Sequence, residues 1–218
     1  MKTRFIEVKS DIEFKLKEQD IEKLPKKIAL ATTVQFIDCL EKIKKQLEEH
    51  SKTCIIGKGR QKYPGQVLGC DVSSIEKLKA DAFLYIGDGR FHPIAIRLNT
   101  EKDVFVLTTN SRLKKVEKKE VEDYKRKIKV GYTKFLSSST IGLITSTKPG
   151  QNKIKEFKNI IDRYKDKRFY TFVCDTLDFS ELENFPFIES WVNALCPRTA
   201  IDDFSRFNKP VINIEDLK

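Results

Sequence analysis

Two cysteine-bearing segments, Gly65-Gln-Val-Leu-Gly-Cys70 and Ala194-Leu-Cys196-Pro-Arg-Thr-Ala-Ile-Asp-Asp203, hold the residues best suited to chemistry. Thiolate sulfur suits iron–sulfur clusters, zinc and copper(I). The two sulfurs are far apart in sequence and neither belongs to a CxxC pair. That argues against a zinc ribbon and against a ferredoxin-like cluster built from one loop. Each segment follows an apolar βα pattern, and the two are read as ending related halves of the chain. Equivalent βα loops of repeated domains can converge, so the pattern allows one metal centre shared between domains, with at least one ligand missing. The alternative is a pair of buried loop cysteines.

The other three cysteines read differently. Cys39 lies beside the stripe Phe36, Leu40, Ile43 and Leu47 at helix spacing, where a small buried side chain fits. Cys54 and Cys174 sit in the strand-like runs Thr53-Cys-Ile-Ile56 and Tyr170-Thr-Phe-Val-Cys174 and pack as small apolar groups. In Ile86-Gly-Asp-Gly-Arg-Phe-His92, Gly87 and Gly89 end a strand and precede a helix, where backbone amides can approach an anion. Simple tight turns have the same composition. His92, before Pro93, either orients a ligand, acts as an acid or serves as a helix-start hydrogen-bonding residue. Asp202 and Asp203 cap a helix or neutralise Arg198.

These loops need elements to position them. Apolar runs at Lys27–Thr32, Thr53–Ile56, Ala82–Ile86 and Val104–Leu107 alternate with helical patterns at Gln35–Glu49, Ser74–Lys79 and near Pro93. The plan recurs at Thr140–Thr145, Lys153–Tyr164, Tyr170–Cys174, Trp191–Ala194 and Lys209–Ile214. Similarity at this long period indicates duplicated domains. The expected class is α/β: two similar domains, each a short, mostly parallel sheet flanked by helices, with ligands beyond the carboxyl ends of the strands. The expected boundaries are 25–111 and 131–218, with a connecting helix at 112–130. Residues 1–24, with a strand-like run at Arg4–Val8 and a charged helical turn, read as the edge of a domain that is absent.

Composition sets the class. The 218 residues are 39% hydrophobic and 34% charged, with no apolar run of membrane length and an N-terminus unlike a secretory signal. The expectation is a soluble cytoplasmic protein with cysteines outside disulfides. The net charge of +10 gathers at Arg112–Lys129 and Lys153–Arg168, both mixed with acids as on a solvated helix face. Such an excess could still steer a negatively charged, translation-linked partner, or mark a basic RNA-binding module.

Five motifs occur in order along nearly the whole chain: Thr32-Thr-Val-Gln35, Lys62-Tyr-Pro-Gly-Gln-Val-Leu-Gly-Cys70, Ile86-Gly-Asp-Gly-Arg-Phe-His-Pro93, Thr145-Ser-Thr-Lys-Pro-Gly-Gln151 and Leu195-Cys-Pro-Arg-Thr-Ala-Ile-Asp-Asp203. In them the chain resembles the archaeal 3-amino-3-carboxypropyl transferases of the first step of diphthamide biosynthesis, an atypical radical S-adenosylmethionine family. The resemblance implies three similar α/β domains, each donating one cysteine to a 4Fe-4S cluster. This chain matches the second and third domains, with Cys70 and Cys196 as their ligands, and the first domain and its cysteine are missing. Cys39 and Cys54 fall where the family places no ligand. Gln35, Gly87, Gly89, His92 and Arg198 become candidates for cofactor or substrate contacts, and no catalytic residue is singled out.

The implied reaction adds the 3-amino-3-carboxypropyl radical of S-adenosylmethionine to a histidine of translation elongation factor 2 and releases 5′-methylthioadenosine. The implied partners are a separate chain supplying the first domain, elongation factor 2 as protein substrate, and a dimer of the assembled enzyme. Neither a membrane nor direct nucleic-acid binding is required. A non-catalytic subunit supporting a complete three-cysteine chain is the alternative.

Overall fold

The computed structural model describes Arg4 and residues 6–217, and it divides into two units, Met1–Val121 and Glu122–Lys218. The first unit contains α1 (Glu18–Glu22), β1 (Lys27–Thr32), α2 (Leu40–Glu49), β2 (Thr53–Ile55), β3 (Ala82–Ile86), α3 (Phe91–Thr100), β4 (Asp103–Leu107) and β5 (Leu113–Lys115). Its sheet order is β2-β1-β3-β4-β5, parallel except for β5, which closes the edge antiparallel to β4. The central strands β1 and β3 are covered on both faces, which is why they read as continuous apolar runs without alternation. Ile28, Leu30, Leu84 and Ile86 meet Leu40, Ile43 and Leu47 of α2, while Ala29, Ala31, Phe83 and Tyr85 meet Ala95 and Ile96 of α3.

The second unit begins within α4 (Lys118–Ser137) and continues through β6 (Thr140–Ser146), α5 (Ile154–Arg163), β7 (Arg168–Cys174), β8 (Ser190–Asn193) and β9 (Val211–Asn213). Its strands run parallel in the order β7-β6-β8-β9, the same plan as β2-β1-β3-β4. Phe135, Leu143, Phe157 and Ile160 form one core face, and Ile144, Leu182, Trp191 and Leu195 the other. The duplicated α/β architecture is therefore as expected. Among the described residues no helix is long and apolar enough to cross a membrane.

Several boundaries differ from the sequence reading. Gln35–Glu49 is not one helix: Val34–Cys39 is a 310 segment in which Phe36 leaves helical geometry (φ −117°, ψ 21°), and its buried ring meets Phe14 edge-on at 5.2 Å. Ser74–Lys79 is a turn, held by bonds such as Ile75 N to Val72 O and Leu78 N to Ile75 O. The connecting helix does not start at 112, because Leu113–Lys115 forms β5 against the otherwise open edge of β4, and α4 then runs on to Ser137. The charged helical turn of the N-terminal stretch is α1, and Phe14, Leu16, Ile21 and Leu24 are buried in the first unit's core. No strand forms over residues 6–8; Met1–Thr3 and Phe5 of the expected Arg4–Val8 run and its approach, like Lys218, lie outside the described residues.

Candidate functional site

Beyond the carboxyl end of β1, the chain returning from β2 docks through Thr32 N to Gly65 O (2.9 Å) and Val67 N to Thr32 O (2.8 Å). Leu68 and Asp71 then exchange backbone hydrogen bonds of 2.9 and 3.0 Å, which puts Gly69 and the exposed Cys70 at the tip of a tight turn. The Asp71 carboxylate accepts from Gln61 Nε2 (2.8 Å), Ser73 N (3.0 Å) and Arg60 Nη2 (3.1 Å). Burial alone would raise its pKa, but these donors outweigh burial and hold it well below the usual carboxylate range. The turn is thus pinned beside the sulfur.

Gly69 admits no side chain, since a Cβ there would sit 1.6 Å from a ring carbon of Phe91, the first residue of α3. Gly69→Ala should destabilise the chain by ~1–3 kcal/mol through overpacking, with Cys70 alkylation altered in parallel. Thermal unfolding with thiol labelling checks this, and a wild-type melt would show that the ring contact is dispensable.

Gly87 (φ 135°) and Gly89 (φ 82°) turn the chain from β3 into α3, in conformations that favour glycine. Asp88 between them accepts from Thr109 N at 3.1 Å and Thr109 Oγ1 at 2.5 Å. His92 lies within the first turn of α3, its ring stacked on Tyr85 at 5.7 Å and meeting Phe91 edge-on. Gln35 is exposed in the 310 segment after β1, and its neighbour Phe36 packs near Gly87. Gln35, Cys70, Gly87, Gly89 and His92 therefore gather at one edge of one sheet.

In the second unit, Cys196 is half-buried three residues beyond β8 and leads into the 310 turn Pro197–Ala200. Arg198 is exposed and pairs with Asp202 (Nε to Oδ2, 2.7 Å), and Asp203 pairs with Arg206 (3.4 Å), so the acids neutralise arginines and make no side-chain helix cap. Lys127 Nζ on α4 donates to Ile201 O at 3.0 Å and lies over the Phe204 ring, tethering the far end of this loop.

The two cysteines are not on equivalent loops. By strand order β8 corresponds to β3, so the counterpart of the Cys196 loop is Gly87–Gly89, whereas Cys70 lies between β2 and β3, inside its unit and not at its end. Both still emerge at a carboxyl edge, because all parallel strands of a sheet exit on the same side.

The remaining thiols separate chemically from these. Burial pushes Cys39 up to about 12 and Cys54 up to about 11, and raises Cys174, whose Sγ also points at Thr145 O (3.7 Å). Buried thiols are poor ligands and poor nucleophiles. With their ionisation suppressed in this way, iodoacetamide should modify exposed Cys70 well before Cys39 or Cys54. Peptide mass spectrometry checks the order, and early labelling of Cys39 would contradict the assignment. Among the described residues no group of three or more His, Cys, Asp or Glu side chains forms a metal cage. Cys70 in the first unit and Cys196 in the second are each a loop thiol, the donor type that iron–sulfur clusters use.

Sequence reading missed Asp71, Phe91 and the buried amides of Asn193 and Asn213, the last residues of β8 and β9. The available signal was an asparagine inside each apolar run, Ser190–Asn193 and Val211–Asn213.

Comparison with known proteins gives the family and the fold. The family described as "Putative diphthamide synthesis protein" matches residues 1–218. A 2-(3-amino-3-carboxypropyl)histidine synthase of Pyrococcus horikoshii is 34% identical over 203 residues, covering 91% of this chain and 58% of its own. Subunit 1 of the Caenorhabditis elegans synthase is 31% identical, over 86% of this chain and 48% of its own. The crystal structure of Dph2 from Pyrococcus horikoshii with a 4Fe-4S cluster superposes with a TM-score of 0.81 at 32% identity, over 91% of this chain and 58% of that one. The chain thus spans about half to three fifths of the length of these relatives.

Proposed function

The chain belongs to the diphthamide synthesis family, and from that premise we propose that it carries two of the three cluster thiolates, Cys70 and Cys196, of an iron–sulfur transferase. The reaction moves the 3-amino-3-carboxypropyl group of S-adenosylmethionine to a histidine of translation elongation factor 2. The supporting observation is the sorting of the cysteines: one loop thiol at the carboxyl edge of each sheet, and three others whose ionisation burial suppresses.

When bound, a 4Fe-4S cluster supplies the single electron that cleaves a carbon–sulfur bond of S-adenosylmethionine. The chain's own residues hold and orient. Asp71 and Phe91 fix the turn that presents Cys70. Gly87 and Gly89 let backbone pass close to a bound molecule, and nothing lies within 4 Å of where a Gly89 side chain would begin. Gln35 and Arg198, both exposed, and His92, held against Tyr85, are assigned to substrate contacts.

We assign the third thiolate to a separate polypeptide resembling the family's first domain, in keeping with motifs in this chain that resemble those of the second and third domains. The assembled enzyme is taken to be a dimer in the cytoplasm, where thiols stay reduced. It needs neither a membrane nor nucleic acid. The test is anaerobic co-purification with such a first-domain chain, followed by iron and sulfide analysis and EPR of the reduced complex. About four irons per complex, with elongation factor 2 modified on adding S-adenosylmethionine, is the expected result. A folded complex that takes up no iron on reconstitution would leave only a supporting role.

A further inference from the structure

Asn193 and Asn213 are register partners at the carboxyl ends of β8 and β9, 1% and 4% exposed and the only buried amide side chains of the second unit's described residues. A buried amide is costly unless its donors and acceptor are used. Here they are used on the loop that carries Cys196. Asn193 Nδ2 donates to Cys196 O (3.0 Å) and to Asn213 Oδ1 (2.7 Å), and Asn193 Oδ1 accepts from Leu195 N (3.3 Å). Asn213 Nδ2 donates to Pro197 O (3.2 Å). The Cys196 carbonyl also accepts from Thr199 N at 3.0 Å.

Backbone groups immediately before, at and after Cys196 are therefore tied to the end of the sheet, although Pro197 has no N–H to contribute. With the peptide planes around Cys196 held, rotation about its Cα–Cβ bond is the main freedom left to the sulfur. Two leucines of similar size would fill the same core without a desolvation cost. What the amides add is direction, a polar grip on one short stretch of loop.

We propose that Asn193 and Asn213 are positioning residues that set the backbone of Cys196 and so aim its sulfur at the metal. This rests on the reading of Cys196 as a cluster ligand. It differs from the means used at Cys70, where a carboxylate and an aromatic ring pin a β-turn.

The test uses the full chain without metal and the same chain reconstituted with its first-domain partner. Asn213→Asp keeps the acceptor for Asn193 but cannot donate to Pro197 O, and Asn213→Ala also loses that one bond to the loop, together with the acceptor for Asn193, without adding a charge. In either variant, Cys196 alkylation should rise about fivefold relative to Cys70 in the same molecule, the change expected for loss of one buried hydrogen bond. The reconstituted complex should show a shifted EPR signal and faster loss of iron to a chelator. Unchanged Cys196 labelling in a folded variant overturns the proposal, as does an equal rise at both cysteines, which marks general loosening.

If both substitutions unfold the chain, hydrogen exchange at the side-chain amides of Asn193 and Asn213 in the wild-type chain decides by NMR. Protection of both is expected, and free exchange overturns the clamp. Failure of the wild-type complex to take up iron would count against the cluster reading alone, since the labelling result is obtained without metal.

Discussion

Replacing Cys70 or Cys196 by alanine should empty the assembled complex of iron, from about four atoms per complex to less than one, and abolish transfer to elongation factor 2. A cluster edge that loses its thiolate is exposed to solvent and exchange, and burial raises the pKa of each of the other three cysteines. Cys39 is half-buried at the end of the 310 segment before α2, Cys54 lies in β2 and Cys174 ends β7, each with its ionisation suppressed by burial. Cys39→Ala and Cys54→Ala should accordingly leave iron and the EPR signal intact, with at most a small loss of stability. The four variants together separate a ligand role from a packing role. Full iron retention in Cys70→Ala and Cys196→Ala would sink the split-enzyme reading and leave a subunit that supports another chain's cluster.

The largest stability effect should come from Trp191→Ala, at about 3 kcal/mol. Trp191 is fully buried in the middle strand pair of the second unit, meets Phe172 edge-on at 5.0 Å, and lies over Gly142, where a Cβ would come within 2.2 Å of the indole. Removing it opens a cavity among Ile144, Leu182, Leu195 and Val211. The indole N–H has no protein partner, so its loss relieves one unsatisfied donor and places the expected cost toward the low end of aromatic truncations. Urea unfolding of wild type and variant measures it; a difference below about 1 kcal/mol would mean that the core closes over the gap. Because β8 carries both Trp191 and Asn193, the same truncation should loosen the Cys196 loop before the unit unfolds globally.

Local pattern decided the parts of this protein that depend on neighbours in sequence. Strands β1, β3, β6 and β8 were readable because strands buried on both faces must be apolar throughout, and α5 because apolar residues recur once per turn. The turn at Gly87–Gly89 followed from glycine's access to positive φ. The ligand candidates Cys70 and Cys196 were visible because breaks at glycine and proline take a cysteine out of regular structure, and the family resemblance then attached a chemistry to them.

Other features required residues far apart in sequence to meet. Phe36 leaves the helix because its ring packs on Phe14, and Leu113–Lys115 becomes a strand because β4 offers an open edge. Asn193 and Asn213 look like interruptions of apolar runs until β8 and β9 lie side by side and bring amides 20 residues apart to 2.7 Å beneath Cys196. The inequivalence of the two cysteine loops also emerges only from strand order. Periodicity records which side of an element is buried, whereas the partner across the sheet, and hence what a buried polar group grips, is chosen by long-range packing.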